Sequence, residues 1–196
     1  MALLTRLSGW GSPWKQTKHG FLAILLSLIP LVCAAQGQER FAEYRIKAAY
    51  LYKFCDYVEW PEGEFDSSDS PLVIGVMGAD HMAADLQEII KDRTVNGRPV
   101  TVRALRLGDS LQGVHVLFIA RSEGSEMESI LAGARLQSIL TVTETEGFPP
   151  EGSVINFVMI GDRIRFDVAL ESARKSNLKI SSRLLAVARN VTEGAS

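Results

Sequence analysis

The sequence predicts an α/β fold: a single-domain three-layer sandwich with a mixed, mainly parallel sheet, a C-terminal antiparallel hairpin and helices on both faces. Three observations point there. Leu72–Met77 and Val114–Ala120 are almost wholly apolar, as strands covered on both faces are. Segments with apolar residues at helical spacing stand between the strands, and that alternation implies crossover units. Near the C-terminus, Val154–Ile160 runs into Gly161-Asp162 and then into a strictly alternating segment, as a two-residue hairpin requires.

Residues 1–35 read as a secretory signal peptide and residues 36–196 as the folded domain. Arg6, Lys15 and Lys18 form a positive start, and Phe21–Val32 is an apolar run too short for a membrane span of about 20 residues. The expected cut follows Ala35, with Ala34 as the alternative and an uncleaved anchor as the competing outcome. Cys33 raises lipidation, but Val32 before it is bulkier than a lipobox tolerates.

The elements follow in order. Glu39–Glu59 carries Phe41, Tyr44, Ala48, Leu51, Tyr52, Cys55 and Val58 at helical spacing. Glu43 and Lys47 are placed for an i,i+4 pair on another face. Pro61 and Gly63 end that helix, and an acidic, Ser-rich loop runs to Ser70. After the strand at Leu72–Met77, Asp80 is placed to cap a helix that buries Met82, Leu86, Ile89 and Ile90. Asn96-Gly97 marks a turn before a strand at Val100–Leu105. Beyond Val114–Ala120, Ser125 and Glu128 suggest a capping box for a helix facing inward with Met127, Ile130, Leu131 and Ala134. A short strand at Ile139–Thr143 and a loop around Phe148 lead to the hairpin. On its second strand Ile164, Phe166 and Val168 face one way, and Arg163, Arg165 and Asp167 the other. Leu178, Ile180, Leu184, Val187, Ala188 and Val191 then read as the stripe of a covering helix.

Charge and composition exclude several function classes. Without residues 1–35, the 21 Lys plus Arg fall to 18 against an unchanged 23 Asp plus Glu, a net charge of −5 that does not suit nucleic-acid binding. Of the two cysteines only Cys55 lies beyond the signal, so no internal disulfide forms in the mature chain. Gly75 and Gly78 supply two of the three glycines that a dinucleotide fingerprint needs, and strand-to-helix turning explains them as well. His81 and His115 lack a second ligand at metal spacing and read as structural. No serine stands in a nucleophile elbow, and the carboxylates read as scattered over a solvated surface. The sequence therefore predicts no catalytic residue, no cofactor and no metal.

Several stretches taken together resemble the YfiR-like family of bacterial periplasmic proteins. They are Tyr44-Arg-Ile-Lys47-Ala-Ala-Tyr50-Leu51 with Val58-Glu-Trp60-Pro61, Pro71–Gly78, Gly97–Val100, His115–Ile119, and the hairpin Ile155–Phe166 with Leu178-Lys-Ile-Ser-Ser-Arg-Leu-Leu185. The resemblance covers about Tyr44 to Val191. It implies a homodimeric repressor that binds the periplasmic part of a membrane-bound diguanylate cyclase, controls cyclic-di-GMP and biofilm formation, and is released by a further envelope protein, an outer-membrane lipoprotein. Some members of the family are disulfide-bonded, which this chain does not match. Ala169 stands where many relatives have Asn, and Asn177 where a Gly usually ends the following helix. Two other classes stay open: a small-molecule sensor with a pocket at the carboxyl ends of the parallel strands, and an accessory protein of an outer-membrane receptor or sensor kinase.

Two surfaces are candidates for partner binding. Tyr57 and Trp60 either close one end of the sheet or form an exposed aromatic anchor. Arg163 and Arg165 project from one side of the hairpin, and Lys179 and Arg183 are expected to share a face of the following helix. If that helix starts near the hairpin, the four make a basic patch; otherwise they are solvated charges, with Asp167 partly neutralising Arg165.

Overall fold

The computed structural model describes residues 41–135 and 137–193. The predicted signal peptide, its cleavage site and the first residues of the predicted opening helix lie outside the described residues. The chain is α/β and three-layered, as the sequence predicts.

Residues 41–54 are helical (α1), and a 3-10 turn, Cys55–Tyr57, continues them. Val58–Glu59 is extended (β1), so the helix ends before its predicted limit. β1 pairs with a two-residue strand, Lys179–Ile180, which draws the chain out of helical geometry ahead of Trp60-Pro61. Four parallel strands build the centre of the sheet: Leu72–Met77 (β2), Arg98–Leu105 (β4), Val116–Ile119 (β5) and Leu140–Thr143 (β6). Ile155–Ile160 (β7) adds parallel to β6, and Arg163–Ala169 (β8) returns antiparallel to β7. Two edge strands escape the sequence reading. Thr94–Val95 (β3) folds back on β4 through Asn96-Gly97, and Asn190–Thr192 (β10) runs parallel to β8. The order is β10-β8-β7-β6-β5-β2-β4-β3.

Alternate residues of β5 separate the layers. Val116 and Phe118 pack with α1 and with Met82, Ala83 and Leu86 of the helix Asp80–Ile90 (α2). Leu117 and Ile119 pack with Met127, Ile130, Leu131 and Ala134 of the helix Met127–Ala134 (α3). The hairpin turn needs its glycine: Gly161 has φ +61° and Asp162 does not follow it into positive φ, so Gly leads as type II′ turns require.

The predicted covering helix at the C-terminus does not form. Leu170–Lys175 (α4), Lys179–Ile180 (β9), Ser182–Val187 (α5) and β10 occupy that stretch instead. Only Leu178 and Leu184 of the predicted stripe are buried, while Val187 and Val191 are exposed. Asn177 is the cause of the break. At φ +54° it ends α4 in a Schellman motif, with Asn177 N–H donating to Arg174 O and Leu178 N–H to Ala173 O. Neither predicted cap is made. Asp80 lies inside α2, facing Arg106 at 3.3 Å, and Glu126 rather than Ser125 precedes α3 without a side-chain cap. The outer half of β7 leaves Met159 and Ile160 exposed.

Cys55 is buried, and its thiol donates to Leu51 O at 3.2 Å. Burial, followed by the charge of Asp56, pushes the thiol well above its ordinary value. It behaves as a small core hydrophobe. Native protein is expected to give no reaction with a thiol reagent at neutral pH and one equivalent after unfolding. Cys55→Ala should cost about 1–2 kcal/mol. Fast labelling of native protein would place this helix face wrongly.

Candidate functional site

The strands deliver polar groups to two ends of the sheet. At the carboxyl end, Arg121 follows β5, Glu144 follows β6, and Glu43, Tyr44 and Lys47 come down from α1. Lys47 is 1% exposed and ion-pairs with both Glu43 and Glu144; Glu144 is 5% exposed. Tyr44 OH donates to Glu144 Oε1 at 2.7 Å, and Arg121 N–H donates to the same oxygen at 2.8 Å. The Arg121 guanidinium reaches Glu43 at 2.6 Å and Glu144 Oε2 at 3.3 Å. Burial pushes the Glu144 carboxyl up, but the Lys47 charge and these hydrogen bonds outweigh it and hold the group below the usual carboxylate range.

Sequence reasoning missed this network and placed the carboxylates on a solvated surface. The Glu43–Lys47 pair that the spacing predicts does form, but on a buried face, where Lys47 also meets Glu144. A second buried carboxylate corrects the reading of the hairpin. Asp167 is buried and paired with Arg189, whose Nε donates to Oδ1 at 2.7 Å, so it does not neutralise Arg165.

A cleft of about 280 Å³ opens beside the network. Lys47, Arg121 and Glu144 line it on one side, Val158, Met159 and Ile160 on the other.

The amino end gathers Tyr57, Trp60 and Lys179. Lys179 lies in β9 opposite Glu59, not in a helix, and Ser181 N–H donates to Tyr57 O. Arg183 follows in α5, exposed. Trp60 is half-buried, its indole N–H donating to His115 O at 3.3 Å, and Tyr57 is half-buried against the core. Phe65 stacks on His115 at 4.4 Å, and the Arg98 guanidinium sits over the Phe65 ring at 4.0 Å. His115 Nδ1 accepts from Val73 N–H at 3.1 Å, and burial followed by Arg98 lowers its proton affinity. A cleft of about 390 Å³ lies over Trp60, Phe65 and Arg98.

Arg163 and Arg165 stand at the opposite end. Both are exposed, and Arg163 pairs with Ile160 beside the hairpin turn. The structure therefore splits the expected basic patch: two arginines at the carboxyl end, Lys179 and Arg183 with the aromatics at the amino end. The glycine pair before α2 is used for packing. Gly78 has φ +78°, and a Cβ there would lie 2.5 Å from Ser122 Oγ. His81 sits edge-on to Tyr44 at 4.7 Å.

The YfiR/HmsC-like family model matches residues 44–189, from Tyr44 of this network to Arg189. The chain belongs to the YfiR/HmsC-like family. Among curated proteins none matches the chain. That family is one of regulatory, non-catalytic periplasmic proteins, and it suggests a role in cyclic-di-GMP signalling. Among the described residues no helix is long and apolar enough to cross a membrane.

Proposed function

We propose that this chain is a periplasmic protein that binds the periplasmic part of a membrane-bound diguanylate cyclase and holds it inactive, lowering cellular cyclic-di-GMP. The family match over 44–189 carries this reading, since it spans the entire sheet as far as the start of β10. Export by the N-terminal signal, a homodimeric state and release by an outer-membrane lipoprotein complete the proposal. Tyr57, Trp60, Lys179 and Arg183 at one end, and Arg163 and Arg165 at the other, are the surfaces offered to partners.

Deleting the gene should raise cellular cyclic-di-GMP, and restoring it should bring the level back. An unchanged level removes the cyclase and leaves the sensor and accessory readings. The sensor reading has one observation in its favour. The 280 Å³ cleft opens at the carboxyl ends of parallel strands, where sheets of this kind bind ligands.

A further inference from the structure

The β7–β8 hairpin outruns the sheet. β6 stops at Thr143, opposite Asn156, while β7 continues to Ile160. Beyond Asn156, β7 has a strand neighbour only on the β8 side among the described residues. Ala169 N–H donates to Val154 O, which makes that pair hydrogen-bonded. Antiparallel pairs alternate, so Asn156, Val158 and Ile160 turn their backbone groups toward β8, and Met159 turns its own to the open side. Met159 is 42% and Ile160 50% exposed.

An open edge with apolar side chains is a template for another strand. Natural edges are commonly blunted by a charge, a proline or a bulge on the edge strand itself, and residues 157–160 carry none of these. The cations lie one strand further in. Arg163 and Arg165 are cross-strand from Ile160 and Val158 on one face, and among the described residues neither has an ion-pair partner. Their side chains are long enough to cross β7 and meet carboxylates on an added strand.

We propose that the free edge of β7 takes an extended segment of a partner protein as an added strand, a segment in which apolar and acidic residues alternate. Main-chain pairing at Met159 supplies affinity, and Arg163 and Arg165 select the acidic sequence. This deepens the reading of the chain as a protein-binding regulator and rests on it.

The probe is a short labelled peptide of alternating Glu and Val, with a Lys–Val peptide as control, read by fluorescence anisotropy against the mature protein. The Glu–Val peptide should bind and the Lys–Val peptide should not. Met159→Pro removes the outward N–H without touching a β8 hydrogen bond, and should weaken binding about tenfold or more. Arg163→Glu with Arg165→Glu should do the same and reverse the preference between the peptides. Should Met159→Pro disturb folding, seen as a lost cooperative melt, the charge reversal decides. Equal binding of both peptides, unchanged binding in the variants, or sedimentation showing that a second copy occupies the edge overturns the proposal. In cells the two readings separate. A charge-reversed strain with parental cyclic-di-GMP, where the deletion raises it, overturns this docking surface alone; a deletion without effect overturns the regulatory reading.

Discussion

Lys47→Ala should lower the unfolding free energy by about 3–5 kcal/mol, measured by urea titration at neutral pH. The reason is asymmetric: removing one member of a buried ion pair leaves the other charge buried and poorly compensated. In the variant, Glu144 retains Tyr44 OH and the Arg121 backbone N–H but loses its nearest cation, with the Arg121 guanidinium 3.3 Å from Oε2. Replacing both partners, as in Lys47→Met with Glu144→Leu, should cost less than Lys47→Ala alone, because no orphan charge remains.

The same pair sets a pH dependence. Glu144 has a depressed carboxyl in the folded state, so its stabilisation is fully present above the ordinary carboxylate value. It is lost as pH falls through the depressed folded value. Wild-type stability should therefore drop on acidification below the ordinary carboxylate range, and Lys47→Ala should show a smaller drop. A Lys47→Ala cost below about 1 kcal/mol would mean that Arg121 alone satisfies Glu144 and that Lys47 is no lock.

Phe54→Ala should be comparably severe, about 3–5 kcal/mol, since it empties a large site that cannot collapse. Phe54 is 1% exposed. Its ring stacks on Phe157 at 5.6 Å and meets Phe166 edge-on at 5.0 Å, so it joins α1 to both hairpin strands. Each such aromatic pair adds about 0.5–1.5 kcal/mol beyond area burial. Phe148, 83% exposed in the loop before the hairpin, provides the contrast. Phe148→Ala should stay within about 0.5 kcal/mol of wild type. Thermal melts of the two variants test the pair, and similar melting temperatures would contradict the placement of α1 over the hairpin.

Much of this architecture was legible because periodicity reports burial directly. The almost wholly apolar runs at Leu72–Met77 and Val114–Ala120 gave central parallel strands, and Met127, Ile130, Leu131 and Ala134 became the inner face of α3. Gly161-Asp162 and Asn96-Gly97 became turns, since positive φ selects the residues that adopt it. Caps were read less well. Asp80 and Ser125 have the right chemistry but form no side-chain cap, and Asp80 faces Arg106 instead.

The candidate surfaces show where local pattern runs out. Arg163, Arg165, Lys179 and Arg183 lie within one short stretch, yet Asn177 turns the chain and β1 draws Lys179 to the far end. By itself the sequence determined the layers, the parallel centre, the hairpin and the burial of Cys55, because each depends on side-chain spacing within one segment. Tertiary structure alone decided that Lys47 meets Glu144, 97 residues away, and that Asp167 meets Arg189. It also decided that β6 stops short of β7 and leaves an edge open. Partners so distant in sequence leave no mark on either segment's periodicity, and a lysine that will be buried looks the same as one in water until its counter-charge is in place.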